Sequence, residues 1–204
     1  MPRKTIDVTR WLQADGLADD AIKLDIEQGD SRSSPVRTSR HSLQEGQGTH
    51  VLTPYFTNLD GATLSDLDNR IFFGEGLILR FKFPEANIGI GQAEVEEGAG
   101  GAIHAGDIVF MANLGGEENS PILTPQAAKW LVEQEIKLVG FDEAFQVDVA
   151  DRYETHKVFL DAGIPIIRNL TNLDSPVGLR VAVMALPLAV SKSASSPCRV
   201  LILD

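Results

Sequence analysis

Residues 46–56 read Gly-Gln-Gly-Thr-His-Val-Leu-Thr-Pro-Tyr-Phe, and this stretch carries more structural information than any other part of the chain. It completes an extended segment that begins near Arg40, and Pro54 ends regular strand pairing because proline has no backbone N–H to donate. His50 lies four residues before that proline, and an imidazole can accept and release a proton near neutral pH. The stretch therefore predicts a strand that carries a candidate acid–base histidine.

On either side of this stretch, the sequence predicts strands and helices. Apolar runs typical of buried strands occur at residues 71–83, 107–112, 138–141, 164–167, 181–188 and 199–203. A helix is predicted to begin at Thr124-Pro125, because threonine can cap a helix and proline is tolerated at its first position. A second helix is predicted from about Arg152 to Asp161. Strands come first and strand–helix–strand units follow, which predicts an α/β fold with a mixed sheet and packed helices.

Length and composition limit the classes of protein to consider. The 204 residues are 43% hydrophobic, enough for one sizeable core, so a single domain over 1–204 is expected, with polar residues 13–40 as a loop or lid. The formal net charge of −11 disfavours nucleic acid and anionic membranes as partners. No signal peptide and no apolar membrane span are visible, so a soluble cytoplasmic protein is expected. Cys198 is the only cysteine and is predicted to be structural.

The stretch at 46–56 resembles the His-x-Gly-Thr-His-x-Asp-x-Pro-x-His signature of the cyclase family that includes kynurenine formamidase and isatin hydrolase. Gly48, Thr49, His50 and Pro54 fall in register with that signature. Further similar segments are residues 59–67, 106–109, 123–142, 156–173, 186–188 and 196–200. The resemblance covers most of the chain and implies a swivelling β/β/α fold, a small-molecule substrate, and a homodimer or homotetramer.

The resemblance also implies one or two divalent metals, usually zinc or manganese, but the ligand positions have changed. Gly46, Leu52 and Phe56 stand where the signature has histidine, aspartate and histidine, so none supplies a metal donor. A later glutamate position holds Arg168, whose fixed positive charge repels a cation. Of the ligands, His50 and His156 remain. We therefore predict a protein with no metal and no other cofactor.

Several residues are candidates for replacing the metal. Arg168 is predicted to hold a substrate carboxylate or an oxyanion, although a salt bridge to an acidic side chain would explain it equally well. His50 and His156 are predicted to exchange protons with the substrate, the alternative being that both are vestigial. Tyr55 is predicted to donate to a carbonyl or to stack on a ring, and a packing role is the alternative.

Four further residues are predicted to contact the substrate. Gln47 and Thr49 are candidates for positioning it, although Thr49 would serve equally well to brace the turn. Leu52 and Phe56 would make the pocket more apolar than a hydrated metal site, which favours a hydrophobic or ring-bearing small molecule.

Three hypotheses for function follow from these residues. The first is a metal-independent cyclase, hydrolase or lyase that closes, opens or isomerises a ring in a small carbonyl- or carboxylate-bearing metabolite, for example in natural-product biosynthesis. The second is a non-catalytic protein that binds a small molecule or a partner through the same pocket. The third is a residual metal-dependent amidase that recruits ligands from other acidic residues.

Overall fold

The computed structural model describes residues 4–12, 23–29, 36–42, 46–147, 153–176 and 178–204. Its helices are α1 (Gln92–Ala99), α2 (Pro125–Glu133) and α3 (Glu154–Asp161). Its strands are β1 (Thr5–Asp7), β2 (Lys23–Gly29), β3 (Val36–Ser42), β4 (His50–Leu52), β5 (Phe73–Phe81), β6 (Gly89–Ile90), β7 (Ile108–Asn113), β8 (Ile122–Leu123), β9 (Leu138–Asp142), β10 (Ile166–Leu170), β11 (Arg180–Pro187) and β12 (Ser195–Leu203).

Seven of the described strands close into a barrel-like sheet. Their order is β12-β11-β5-β7-β9-β10-β4, and β4 pairs again with β12 to complete the ring, while β1 extends the pairing along β12. Strands β5, β7, β9 and β10 run parallel to one another, and the remaining pairs of the ring are antiparallel. This confirms the predicted mixed sheet with packed helices.

Successive side chains of each strand point to opposite faces of the sheet, and this divides the core into two apolar clusters. In β7, Ile108 and Phe110 belong to a cluster to which every strand of the ring contributes, so this cluster fills the barrel. Val109 and Met111, on the opposite face, pack with residues of the three helices. Because successive side chains of a strand point to opposite faces, one continuous apolar run supplies both clusters. The helices therefore cover the outer face of the parallel part of the barrel.

Local signals explain where the helices begin and end. The Thr124 hydroxyl accepts from the backbone N–H of Ala127 at 3.3 Å, and Pro125 opens α2, as the sequence predicts. After α3, Gly163 adopts φ +78°, a left-handed conformation that glycine allows without strain. Among the described residues, no helix is long and apolar enough to cross a membrane.

The prediction of a loop over residues 13–40 is wrong for part of that range. Lys23–Gly29 and Val36–Ser42 pair as an antiparallel two-stranded ribbon, separate from the barrel sheet. The alternation of Leu24 and Ile26 with charged residues is typical of a strand, but the high polarity of the segment obscured it. Residues 13–22 and 30–35 lie outside the described part of the chain, and the role of a lid stays a prediction.

Candidate functional site

Strand pairing brings the candidate residues to one place. In the antiparallel pair of β4 and β10, His50 lies directly opposite Arg168. On the other edge of β4, Leu52 lies opposite Ser195 of β12. Val51, between His50 and Leu52, faces the barrel interior, so its two neighbours point outward. Directly opposed residues share a face, and the four side chains therefore share the outer face of the barrel.

A cavity of about 420 Å³ opens on this face, between the strands and the start of α3. Side chains of three strands, one short 3-10 turn and one helix meet there. The residues that line it are Gly46, His50, Leu52, Phe56, Tyr153, His156, Arg168, Asn169 and Ser195.

His50 is buried and held in one orientation. Its Nδ1 lies 2.9 Å from the carbonyl oxygen of Gly48, which can only accept, so Nδ1 carries the proton and Nε2 keeps its lone pair. Burial lowers the pKa of His50 below its usual 6.5, and the positive charges of Arg168 and His156 lower it further, against the opposing effect of the Gly48 hydrogen bond. His50 is therefore a neutral imidazole with a basic nitrogen near neutral pH.

The guanidinium of Arg168 is positioned from behind by the β9 strand and the loop that follows it. Nη2 donates to the carbonyl oxygen of Phe145 at 3.3 Å. The guanidinium carbon lies 5.6 Å from the centre of the Phe141 ring, a cation–π contact. These contacts fix the direction of a planar group that can bind a carboxylate or an oxyanion through two parallel N–H bonds.

Aromatic side chains form the wall opposite the strands. The rings of Phe56 and Tyr153 meet edge to face with centroids 5.5 Å apart, and Tyr153 contacts the His156 ring in the same manner at 5.6 Å. His156 itself is buried on α3. The cavity thus combines two imidazoles and a guanidinium with apolar walls, an arrangement suited to a ring-bearing ligand with one anionic or carbonyl group.

The structure gathers five of the eight predicted site residues at the cavity: His50, Leu52, Phe56, His156 and Arg168. The other three predicted residues are not among those that line it. The Tyr55 side chain is half-buried elsewhere, and its backbone N–H donates to Ala62. Gln47 is buried. The hydroxyl of Thr49 donates to the carbonyl oxygen of Asn169 at 2.6 Å and accepts from the N–H of Arg10 at 2.7 Å, which makes Thr49 a brace between β10 and the segment that follows β1.

Four lining residues are absent from the set predicted by sequence: Gly46, Tyr153, Asn169 and Ser195. Gly46 was recognised only as a ligand position that lacks a donor. Tyr153 precedes His156 by three positions, so helical spacing was a usable signal for it. Ser195 could be found only from the register of β12 against β4. Asn169 reaches the cavity beside Arg168 because the register of β10 shifts between Ile167 and Leu170. No sequence pattern predicts this shift.

The donor set does not fit the divalent metal that the family resemblance implies. The lining residues offer two imidazoles, whereas Gly46, Leu52 and Phe56 offer no side-chain donor, and Arg168 adds a positive charge. Over the described ranges, no group of three or more histidine, cysteine, aspartate or glutamate side chains is arranged to hold a metal ion. The cavity therefore falls at least one donor short of a catalytic zinc site.

Known proteins resemble this chain over nearly its whole length. Kynurenine formamidase of Bacillus mycoides is 27% identical over 203 residues, which cover 96% of this chain and 91% of the relative. Kynurenine formamidase of Bacillus anthracis is 26% identical over 209 residues, which cover 98% of this chain and 97% of the relative.

Solved structures share the fold at lower sequence identity. Isatin hydrolase A of Labrenzia aggregata superposes with a TM-score of 0.83 at 18% identity, covering 98% of this chain and 93% of that one. A protein described as a potential metal-dependent hydrolase with cyclase activity superposes with a TM-score of 0.74 at 24% identity. That match covers 99% of this chain and 98% of the other. Residues 4–149 match the family model named Cyclase, which is well over half of the chain. The chain belongs to the cyclase family.

Proposed function

We propose that this protein is an enzyme that closes, opens or isomerises a ring in a small carbonyl- or carboxylate-bearing metabolite, by acid–base chemistry that uses no bound metal. The observation that carries the proposal is the pairing of His50 with Arg168 across β4 and β10 at the cavity. A neutral base thus stands beside a fixed cation, where the family signature leads one to expect a cluster of metal ligands.

The two residues have complementary roles in such a reaction. Nε2 of His50 accepts a proton from an acidic C–H, N–H or O–H of the substrate. The electron pair left on the substrate moves toward its carbonyl oxygen, and the negative charge that develops there faces the guanidinium of Arg168. The proton returns from Nε2 to another atom of the same conjugated system, so the step is balanced without a co-reactant. His156 is the candidate for a second proton carrier.

The walls of the cavity define the class of substrate. Leu52 and Phe56 replace two polar ligand positions of the signature, and Tyr153 adds a third non-polar surface with a hydroxyl at its edge. A volume of about 420 Å³ accommodates a small metabolite with one or two rings. A polyketide- or amino-acid-derived intermediate with a carboxylate or an enolisable carbonyl has the required shape and charge.

Metal-dependent amide hydrolysis is a second candidate. It is favoured by the name of the relatives, kynurenine formamidase, which match 96% of the chain, and by the description of one structural neighbour as a potential metal-dependent hydrolase. It requires at least one donor in addition to His50 and His156, since catalytic zinc takes three protein ligands. The donor set of the cavity is the argument against it.

Metal analysis and turnover distinguish these candidates. Protein purified without chelator is analysed for zinc and manganese, then assayed with isatin and a panel of lactams, lactones, formamides and enolisable keto acids, before and after chelation. We expect substoichiometric metal and unchanged rates after chelation. His50→Gln should lower kcat by about a hundredfold or more, and His104→Gln, at an exposed histidine outside the cavity, serves as the control.

Two results would reject the proposal. One is loss of turnover on chelation with recovery on adding zinc or manganese, which would establish the metal-dependent amidase. The other is turnover that survives His50→Gln, His156→Gln and Arg168→Met singly, which would place the chemistry elsewhere. Binding of benzoate that depends on Arg168, without turnover of any compound in the panel, would favour a non-catalytic binding protein.

A further inference from the structure

We propose that Asn169 is a positioning residue that fixes the orientation and tautomer of the His50 imidazole through the carbonyl group of Gly48. The catalytic meaning of this arrangement rests on the proposed function, in which Nε2 of His50 is the base. The structural relation itself depends only on contacts among described residues.

The carbonyl oxygen of Gly48 accepts from two side chains at once. Nδ2 of Asn169 donates to it at 3.0 Å, and Nδ1 of His50 lies 2.9 Å away. A carbonyl oxygen has two lone pairs, so both bonds form together without competition. The same amide of Asn169 also reaches the carbonyl oxygen of Gly46, at 3.4 Å. One amide group therefore holds both ends of the segment that orients His50.

The segment needs such an external support. Gly46 and Gly48 adopt φ +88° and +59°, conformations that most residues avoid, and neither has a side chain that could anchor the backbone. A larger residue at Gly48 would have to displace the Leu12 side chain, because a Cβ atom there would lie 2.6 Å from Cδ2 of Leu12. Glycine permits this path of the chain but does not fix it. The Thr49 N–H of the same peptide group donates to the carbonyl oxygen of Arg10 at 3.4 Å, and the side chains of Asn169 and His50 hold the Gly48 carbonyl from the other side.

Asn169 is itself placed for this role by an irregularity in β10. It adopts φ +57°, in the left-handed region that asparagine tolerates better than most residues. Its carbonyl oxygen accepts from the Thr49 hydroxyl at 2.6 Å, so backbone and side chain of Asn169 both engage the 46–50 stretch. In a regular strand, side chains alternate and the residue after Arg168 would face the barrel interior. The left-handed turn is what brings Asn169 to the same cavity as Arg168.

The test is the tautomer of His50, read from the ring nitrogen shifts of ¹⁵N-histidine-labelled protein at about pH 8, where histidine is neutral. His50→Gln assigns the signals. Asn169→Gly removes the amide and keeps a residue that accepts the left-handed backbone. We expect the Nδ1–H form in the wild type and a shift to a mixture with the Nε2–H form in Asn169→Gly. Asn169→Asp should also lose the Nδ1–H form, because an ionised carboxylate cannot donate to Gly48.

Asn172→Gly is the matched control. Asn172 also adopts a left-handed backbone, at φ +55°, and its amide donates to a backbone carbonyl, that of Asp7, but it does not line the cavity. This variant should leave the His50 tautomer unchanged. Suppose that Asn169→Gly shows a cooperative urea unfolding transition and is therefore folded. An unchanged His50 tautomer in that protein would overturn the positioning role.

Activity separates this inference from the proposed function. With any substrate found in the panel, Asn169→Gly should lower kcat by about a hundredfold with little change in KM, because a misoriented base acts on the transition state rather than on binding. The tautomer measurement needs no substrate, so the positioning role can be confirmed when no turnover is found. Turnover that requires His50 but not Asn169 would reject the positioning role and leave the proposed function intact.

Discussion

His50 and Arg168 are direct cross-strand partners, an imidazole on β4 facing a guanidinium on β10. Directly opposed residues in an antiparallel pair have Cβ atoms about 4.5–5.5 Å apart, so the charge at position 168 affects the pKa of His50. The proximity lowers the pKa of His50, as burial does. A carboxylate at position 168 would have the opposite effect, because it would favour a cation at the same place.

Arg168→Glu is therefore expected to give the cavity a metal site. His50, His156 and the introduced carboxylate would supply three donors, the number found in catalytic zinc sites. We expect zinc near one equivalent per chain after dialysis against a small excess of zinc, measured by elemental analysis. Arg168→Gln, which removes the charge without adding a carboxylate, is the control and should bind zinc at least about tenfold more weakly. Equal zinc content in the two variants would show that a carboxylate at position 168 does not share a metal with the two histidines.

Thr49 is expected to contribute to stability rather than to binding. Its hydroxyl serves the carbonyl oxygen of Asn169 and the N–H of Arg10, and Thr49→Val leaves both backbone groups without that partner. The free energy of unfolding in urea should fall by about 2–3 kcal/mol. Thr49→Ser keeps the hydroxyl and should lose about 1 kcal/mol or less, the value of the missing methyl group. Equal losses in the two variants would mean that the hydroxyl bonds contribute nothing.

Asp142 should make stability depend on pH in an unusual direction. Burial raises the pKa of its carboxyl from 3.8 to about 6, against the N–H groups of Asn113 and Ala144 that donate to it. Between pH 3.8 and about 6 the folded state binds more protons than the unfolded state. The free energy of unfolding that depends on this group is therefore greatest below about pH 3.8, and it declines as the pH rises through about 6. A shift of this size corresponds to about 3 kcal/mol at neutral pH.

Urea denaturation of wild type and Asp142→Asn, from about pH 4 to about pH 8, tests this expectation. The difference in unfolding free energy between the two proteins should grow in favour of the variant as pH rises and should level off above about 6. Asp60→Asn, at an exposed carboxyl, is the control and should stay within about 0.5 kcal/mol of wild type. A pH-independent difference for Asp142→Asn would contradict the raised pKa.

Cys198 should resist thiol reagents in the folded protein. Burial raises the pKa of its thiol to about 12, and the side chain belongs to the cluster inside the barrel. Only the thiolate reacts, so labelling by Ellman's reagent should be at least about a hundredfold slower in native protein than in urea-unfolded protein. The chain has a single cysteine, so the absorbance change reports this residue alone. Rapid labelling under native conditions would show that β12 opens locally.

The sequence by itself determined the elements whose signals are local. Apolar runs predict the barrel strands, and Thr124-Pro125 predicts the start of α2, because burial and capping act within a few residues of chain. The sequence also shows which metal donors are missing, since Gly46, Leu52 and Phe56 cannot ligate in any fold. Those features need no knowledge of distant contacts.

Only the tertiary structure decided which residues share the cavity. His50 meets Arg168 through strand register, and Asn169 reaches the site through a left-handed residue in β10, both of which are set by long-range pairing. Phe56 lines the cavity and Tyr55 does not, because neighbours on a short 3-10 turn point in directions about 120° apart. The residue types limit the chemistry that the chain can perform. Strand register and backbone conformation determine which of those side chains lie together at the cavity.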